Sequence, residues 1–327
     1  MKTFEKIVLA VGLATLALLL WKMDAAAVFA LVTQVGWGLA FIIVQEVVAH
    51  VFNAVGWRLA FPPREAGSFP LGELIRLRVA GDAVNYLTPS ATIAGEVART
   101  AMLNDSHGAQ ARAGSVLVSK VTQALAQLVF SLGGLALFAA QLPWLRGREA
   151  TVYAAVASVF AALAAAAVYE ARWGPAPVRA PAPTRLSLAG LTAMFSWLRF
   201  HFRLHPARFA GSMFFFFLGY AWGAFEAYWI CRFLSVPVPV VTAILIEILS
   251  LTVDAAFFMV PAKVGTQEGG KTAIFAALGL PPQAGLAFGV VRHIRELSWA
   301  GLGLALCSAH RRRPSAPPSP LPAGAAR

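Results

Sequence analysis

Apolar stretches close to the length of a bilayer crossing alternate along this chain with short segments where charge and proline collect. A helix needs about 20 predominantly apolar residues to cross the hydrocarbon core. Stretches of this kind lie at 7–21, 28–60, 114–140, 150–169, 209–233 and 284–306, and they predict six crossing helices. Two further segments read differently. Residues 72–86 carry Glu73, Arg76, Arg78 and Asp82, which makes them too short and too charged for a lipid-facing span. Pro89 then ends the helix, because proline lacks an amide hydrogen and its ring clashes with the preceding turn, and a second short helix follows over 93–103. Residues 238–280 repeat the arrangement, with Glu247 and Asp254 on one face before Pro261. Two half-length helices joined by a broken stretch predict a re-entrant hairpin, which is tolerated at membrane depth only against protein or a water-filled cavity.

The two broken segments correspond residue by residue. Asp82, Pro89, Glu96 and Arg99-Thr100-Ala101 recur 172 positions later as Asp254, Pro261, Glu268 and Lys271-Thr272-Ala273. At the same offset Lys120 aligns with Arg292, each inside an otherwise apolar run. An acid, a proline, an acid and a base recurring in order predict an internal repeat, with units at about 28–140 and 209–306. Three crossing helices separate equivalent positions, so the second copy is inverted relative to the first. The expected architecture is an all-α integral membrane protein of about six transmembrane helices plus two re-entrant hairpins, in a single domain over 1–309 with a basic, Pro-rich tail at 310–327.

Composition agrees with that class. Of 327 residues, 58% are hydrophobic and 13% charged, and the mean hydropathy is +0.68. The formal net charge of +12 does not indicate nucleic acid, because Lys and Arg gather between the apolar runs, where they set orientation. The loop at 171–208 holds Arg172, Arg179, Arg185, Arg199, Arg203 and Arg208, and its 186–202 portion predicts an amphipathic interfacial helix. With both termini cytoplasmic, the loops beginning at Met1, Arg58, Arg172 and Arg311 face the cytoplasm and carry most of the positive charge. Ala25-Ala26-Ala27 also fits a signal-peptidase site, so cleavage after the first span is the alternative to a retained helix. Cys231 and Cys307 form neither a disulfide framework nor a metal motif, and no cofactor is expected.

The chemistry lies in charges set inside apolar runs. Glu46, His50, Asn53 and Trp57 share one helical face, either to bond neighbouring helices or to line a polar cavity. Lys120, Gln123 and Gln127 share another, and Gly219-x-x-x-Gly223 fits close helix packing. The candidate substrate-binding set is Asp82, Asn85, Pro89, Glu96, Arg99, Lys120, Asp254, Pro261, Lys263, Gln267, Glu268, Lys271, Arg292, Arg295 and Glu296. Desolvating a polar headgroup in hydrocarbon is costly, so such a set can line a path for one. Taken singly, the same residues are as well read as structural ion pairs; Arg292 and Glu296, four apart, can simply hold each other. Lys263 either meets a phosphate or snorkels to the interface. Helix amino termini after Pro89 and Pro261 offer positive dipole ends to an anionic group. A membrane-embedded enzyme is the competing class, but neither a His-Glu-x-x-His zinc site, an acid-rich magnesium motif nor a nucleophile elbow is found. A scaffold recruiting lipid-synthesis enzymes through the Arg-rich loop is a third.

Pro261-x-x-x-Gly265-x-x-Glu268, Leu278-Gly279-Leu280 and the mid-span Arg292, together with Pro89 and Gly95-Glu96-x-x-Arg99, resemble the transmembrane flippase domain of the lysylphosphatidylglycerol synthetases. The Gln267-Glu268-Gly269-Gly270 form is most similar to the free-standing branch associated with hopanoid biosynthesis. Ala262-Lys263 and Ala94 stand where relatives commonly carry glycine. The resemblance implies translocation of a lipid, polar or of isoprenoid or hopanoid type, across a bacterial cytoplasmic membrane. The soluble aminoacyl-transferase domain of the synthetases has no counterpart in the tail.

Overall fold

The computed structural model describes residues 25–88, 93–103, 109–174, 188–258 and 260–311. The expected first span at 7–21, Pro89, much of the Arg-rich loop and the tail beyond 311 lie outside the described residues. Twelve α-helices, and no strand, occur among the described residues. They are α1 (Ala25–Val35), α2 (Gly38–Leu59), α3 (Pro63–Ala66), α4 (Leu71–Leu87), α5 (Ile93–Met102), α6 (Ala109–Phe138), α7 (Glu149–Trp173), α8 (Leu188–Leu204), α9 (Pro206–Phe233), α10 (Val240–Ala256), α11 (Thr266–Ala277) and α12 (Pro282–Arg311).

Three of these, α2, α6 with its following turn, and α7, are long and apolar enough to cross a membrane by length and composition. α9 and α12 have the length, 28 and 30 residues, but carry buried charge along the way. The expected single helix over 28–60 is two helices. Gly36 adopts a left-handed conformation (φ +50°), its amide closes back on the Thr33 carbonyl, and α2 starts afresh at Gly38, where the Phe233 ring leaves no room for a Cβ.

α9 packs along α2, α6 and α10, while α12 lies between α4 on one side and α11 on the other and also touches α1 and α2. α7 is lightly covered, by α6, the turn after it and, near its end, α8, where Arg199 pairs with Glu170; Val156 is its one buried residue, so its apolar surface faces outward. Two apolar clusters hold the bundle. One joins Ile42 of α2, Ala227 and Ile230 of α9 and Leu234 just after it to Phe275 of α11 and Leu286, Phe288 and Val291 of α12. The other joins Ala54, Trp57 and Phe61 to Phe69, Leu74, Leu77, Leu103 and Val118. Along α2 the clusters are reached at Ile42 and Ala54, about 18 Å apart at 1.5 Å per residue. The polar residues Glu46, His50 and Asn53 fall in that interval.

Candidate functional site

The interval between the two apolar clusters is a layer of charge. In the first hairpin, α4 and α5 approach so closely that a Cβ on Gly95 would lie 2.2 Å from the Gly81 carbonyl oxygen. That contact lets Arg99 of α5 pair with Asp82 of α4, with Glu96 one turn back at 3.0 Å. Lys120 of α6 closes on Glu96 at 2.8 Å, and Arg78 lies 3.5 Å from Asp82. Asn85 clamps the same hairpin, accepting from the Gly95 amide at 2.7 Å and donating to Glu96 at 3.3 Å.

The second hairpin repeats the central pair. Lys271 of α11 meets Asp254 of α10 at 3.4 Å, the same acid and base as Asp82 and Arg99 at the offset seen in the sequence. Lys263, in the turn Pro261–Lys263, binds Asp254 at 2.7 Å and Glu296 of α12 at 3.3 Å. Lys263 therefore neither snorkels nor stands free: it ties the turn to α12. Glu268 receives the His293 imidazole at 2.6 Å and the Gly265 amide at 2.9 Å. In partnering, His293 plays toward Glu268 the part that Lys120 plays toward Glu96. Arg292, the residue that aligns with Lys120, goes elsewhere.

Arg292 pairs with Glu247 and, at 3.2 Å, with Glu226 of α9, while Arg295 is held by Glu46 at 2.5 Å and by Glu226 at 2.6 Å. Glu296 binds Lys263 and Arg295. Arg292 and Glu296 do not hold each other: Arg292 lies on the α9 side, where Gly223 leaves no Cβ between Glu247 and the helix backbone and supplies its carbonyl to Arg292. Leaving one such charge buried and unpaired is costly, which is why nearly every acid here meets a base.

Between the networks lies a cavity of about 350 Å³, lined by Glu46, His50 and Asn53 of α2, Arg78, Asp82 and Tyr86 of α4, Gln123 of α6, Lys263, and Arg295, Glu296 and Trp299 of α12. That volume has room for several water molecules. The α2 face thus divides between both of its readings: Glu46, His50 and Asn53 line the cavity, whereas Trp57 is buried and donates to Ser115 at 3.3 Å.

Of the candidate set, Asp82, Lys263, Arg295 and Glu296 line the cavity. Glu96, Arg99, Lys120, Asp254, Glu268, Lys271 and Arg292 stand behind them in the ion-pair networks. Asn85 and Gln267 are not among the lining residues; Asn85 is the hairpin clamp, and Gln267 is buried at 1% exposure. Pro261 opens the second turn, and Pro89 is outside the described residues. At each hairpin one amino-terminal amide is already taken: Asn85 accepts from the Gly95 amide in the first turn of α5, and Glu268 accepts from the Gly265 amide just before α11. Arg78, Glu46, His50, Tyr86 and Glu226 were not in the set. Glu226 had a readable signal, a lone acid deep in an apolar helix, and Arg78 stands one turn before Asp82.

An apolar groove of about 830 Å³ runs between α6, α9 and α10, with Phe130, Leu137, Phe217, Phe225 and Trp229 on its walls. No group of three or more metal-binding side chains occurs among the described residues. In comparisons with known proteins, residues 6–304 match the family described as "Lysylphosphatidylglycerol synthase TM region". No curated protein and no solved structure matches the chain.

Proposed function

The chain belongs to the lysylphosphatidylglycerol synthase transmembrane-region family, and from that premise we propose that it is a lipid translocase, flippase-like, moving the headgroup of a membrane lipid across a bacterial cytoplasmic membrane. The observation that carries this reading is the charged cavity held between two apolar clusters at mid-helix. A polar headgroup cannot cross hydrocarbon without a hydrated or charge-lined path, and buried ionisable groups in a membrane protein mark such paths. The apolar groove is of a kind that can keep acyl or isoprenoid chains in an apolar surrounding while the headgroup moves.

In this reading six helices cross the membrane, the hairpins α4–α5 and α10–α11 are re-entrant from opposite sides, and both termini are cytoplasmic. The recurring pairs Asp82–Arg99 and Asp254–Lys271 support treating the hairpins as two copies of one element. Inverted repeats of this kind permit alternating access, one half rocking against the other around a central site. Lys263 fastens the turn of the second hairpin to Glu296 of α12, within the second unit.

The test is movement of a headgroup-labelled lipid in sealed vesicles carrying the purified protein, beside leaflet-resolved lipid composition in cells lacking it. Translocation above that of protein-free vesicles, reduced at least about tenfold by Lys263→Met, is expected, since that change removes the nearer cation of both Asp254 and Glu296 and leaves them Lys271 and Arg295, each at 3.4 Å. Vesicles that move no lipid, with unaltered leaflets in the deletion, would refute the reading.

A further inference from the structure

α7 stands off the bundle along most of its length, with Val156 its one buried residue. Its last turns are nonetheless tied to α8. Glu170 receives Arg199 at 2.5 Å, and Arg203 donates to the carbonyls of Gly174 at 2.9 Å and Ala171 at 3.1 Å. Between that tether and the middle of α6 lies a cavity of about 500 Å³, walled by α6, α7, α8 and the start of α9. It shares no lining residue with the charged cavity.

The length and polarity of this second cavity match one leaflet. Along α6 its wall runs from Val121 to Val129, about 12 Å at 1.5 Å per residue, and along α7 from Phe160 to Glu170, about 15 Å. The hydrocarbon core of a bilayer is ~30 Å thick, so each wall spans about half of it. The deep end, at Val129 and Phe160, is apolar, whereas the other end carries the Arg199–Glu170 pair, whose side chains are 33% and 22% exposed. Both long walls belong to helices long and apolar enough to cross a membrane. On the α7 wall Ala164 and Ala167 are exposed, so none of the described residues fills the space before them.

We propose that this cavity seats one acyl chain of a resident membrane lipid, wedged between α7 and the bundle with its ester region at Arg199 and Glu170, and that this lipid is not the one translocated. In hydrocarbon no hydrophobic force draws helices together, so close packing has to supply the contact. A chain walled by four helices meets fixed atoms on several sides, and each such contact adds dispersion attraction. It also gives α7 the packing that its small side chains do not provide. The volume and the mainly apolar lining, with polar groups at one end, are those of a site for an amphiphile. Because Arg199 and Glu170 neutralise each other, the seat selects by chain and not by the charge of the headgroup. In the proposed orientation the polar end is cytoplasmic, and the lipid belongs to that leaflet.

The experiment strips the full-length protein of lipid in detergent and returns one of three probes with identical chains: phosphatidylcholine, phosphatidylglycerol or diglyceride. Retained lipid is counted by mass measurement of the intact complex, and the denaturation midpoint is read in parallel. Each probe is expected to be retained at one molecule per chain, with affinities within about threefold of one another, and to raise the midpoint. Ala164→Phe places a ring where the chain lies, and is expected to lower retention about tenfold or more and to make the midpoint insensitive to added lipid. Ala167→Leu fills less of the space and carries the test should the larger substitution fail to fold. Retention unchanged in both variants, or a preference above about tenfold for one headgroup, overturns the proposal. Labelled-lipid movement in sealed vesicles should persist in Ala167→Leu; its loss in step with retention would put the chain on the translocation route and overturn the resident assignment. Retention and midpoint involve no transport, so they decide the seat even where the translocase reading fails.

Discussion

Glu226 is one carboxylate between two guanidinium groups, 1% exposed, with Arg292 on one oxygen and Arg295 on the other. Its neutralisation leaves two buried cations sharing fewer anions. Glu226→Gln is expected to destabilise the protein by about 3–5 kcal/mol, the range for breaking a buried ion pair, as read from denaturation in detergent micelles. Glu73→Gln, at the start of α4, should change the same midpoint little; no ion pair holds Glu73 among the described residues. A large loss in both, or in neither, would deny the network its structural weight. The fifteen-member set was read from charge and spacing, and those cues located seven network residues and four cavity residues without saying which partner each would choose. Partner choice depends on which helix lies opposite, and Glu226 lies 66 residues from Arg292.

At the scale of elements, the hairpins are joined differently although their ion pairs agree. The first depends on bare backbone: Gly81 and Gly95 meet where no Cβ fits. Gly95→Ala is expected to cost about 1–3 kcal/mol, the usual range for overpacking, and to raise amide exchange throughout α4 and α5. Unaltered exchange would mean that the hairpin is not closed at that contact. The second hairpin turns through Ala262 (φ +50°), Lys263 (φ +53°) and Gly265 (φ +74°). Two side-chain-bearing residues in the left-handed region cost roughly 1–2 kcal/mol each. Ala262→Gly therefore stabilises by about 1 kcal/mol in the same denaturation assay, whereas Lys263 is the side chain that secures Asp254 and Glu296. A lowered midpoint would contradict the strain.

At the scale of the molecule, the proposed orientation makes a labelling prediction. In a variant with Cys231→Ala and Cys307→Ser, a cysteine at the exposed Arg148, after α6, should react with an impermeant thiol reagent from outside the cell. One at Arg64, in α3, should react only after the membrane is opened, and one at the exposed Ser235 from outside. Reaction of Arg64→Cys in intact cells would reverse the orientation. The bundle itself is organised by α12, which contributes Arg292, His293, Arg295 and Glu296 and packs against both α4 and α11. α12 therefore stands between the hairpins, and the turn Pro261–Lys263 also touches α4 directly.

The sequence by itself determined the membrane class, the helices over 114–140, 150–169, 209–233 and 284–306 to within a few residues at each end, and the two broken segments. Apolar run length, proline and charge are local properties, and local properties survive projection onto one dimension. The acid–base pair shared by the hairpins was legible for the same reason, because it lies 17 residues apart in each. The break at Gly36, the passage of Arg292 to Glu226 and Glu247, the pairing of Glu268 with His293, and the burial of Arg78 and His50 were decided only in three dimensions. A buried charge takes whichever opposite charge the packing delivers, and packing is settled by where glycines allow helices to touch.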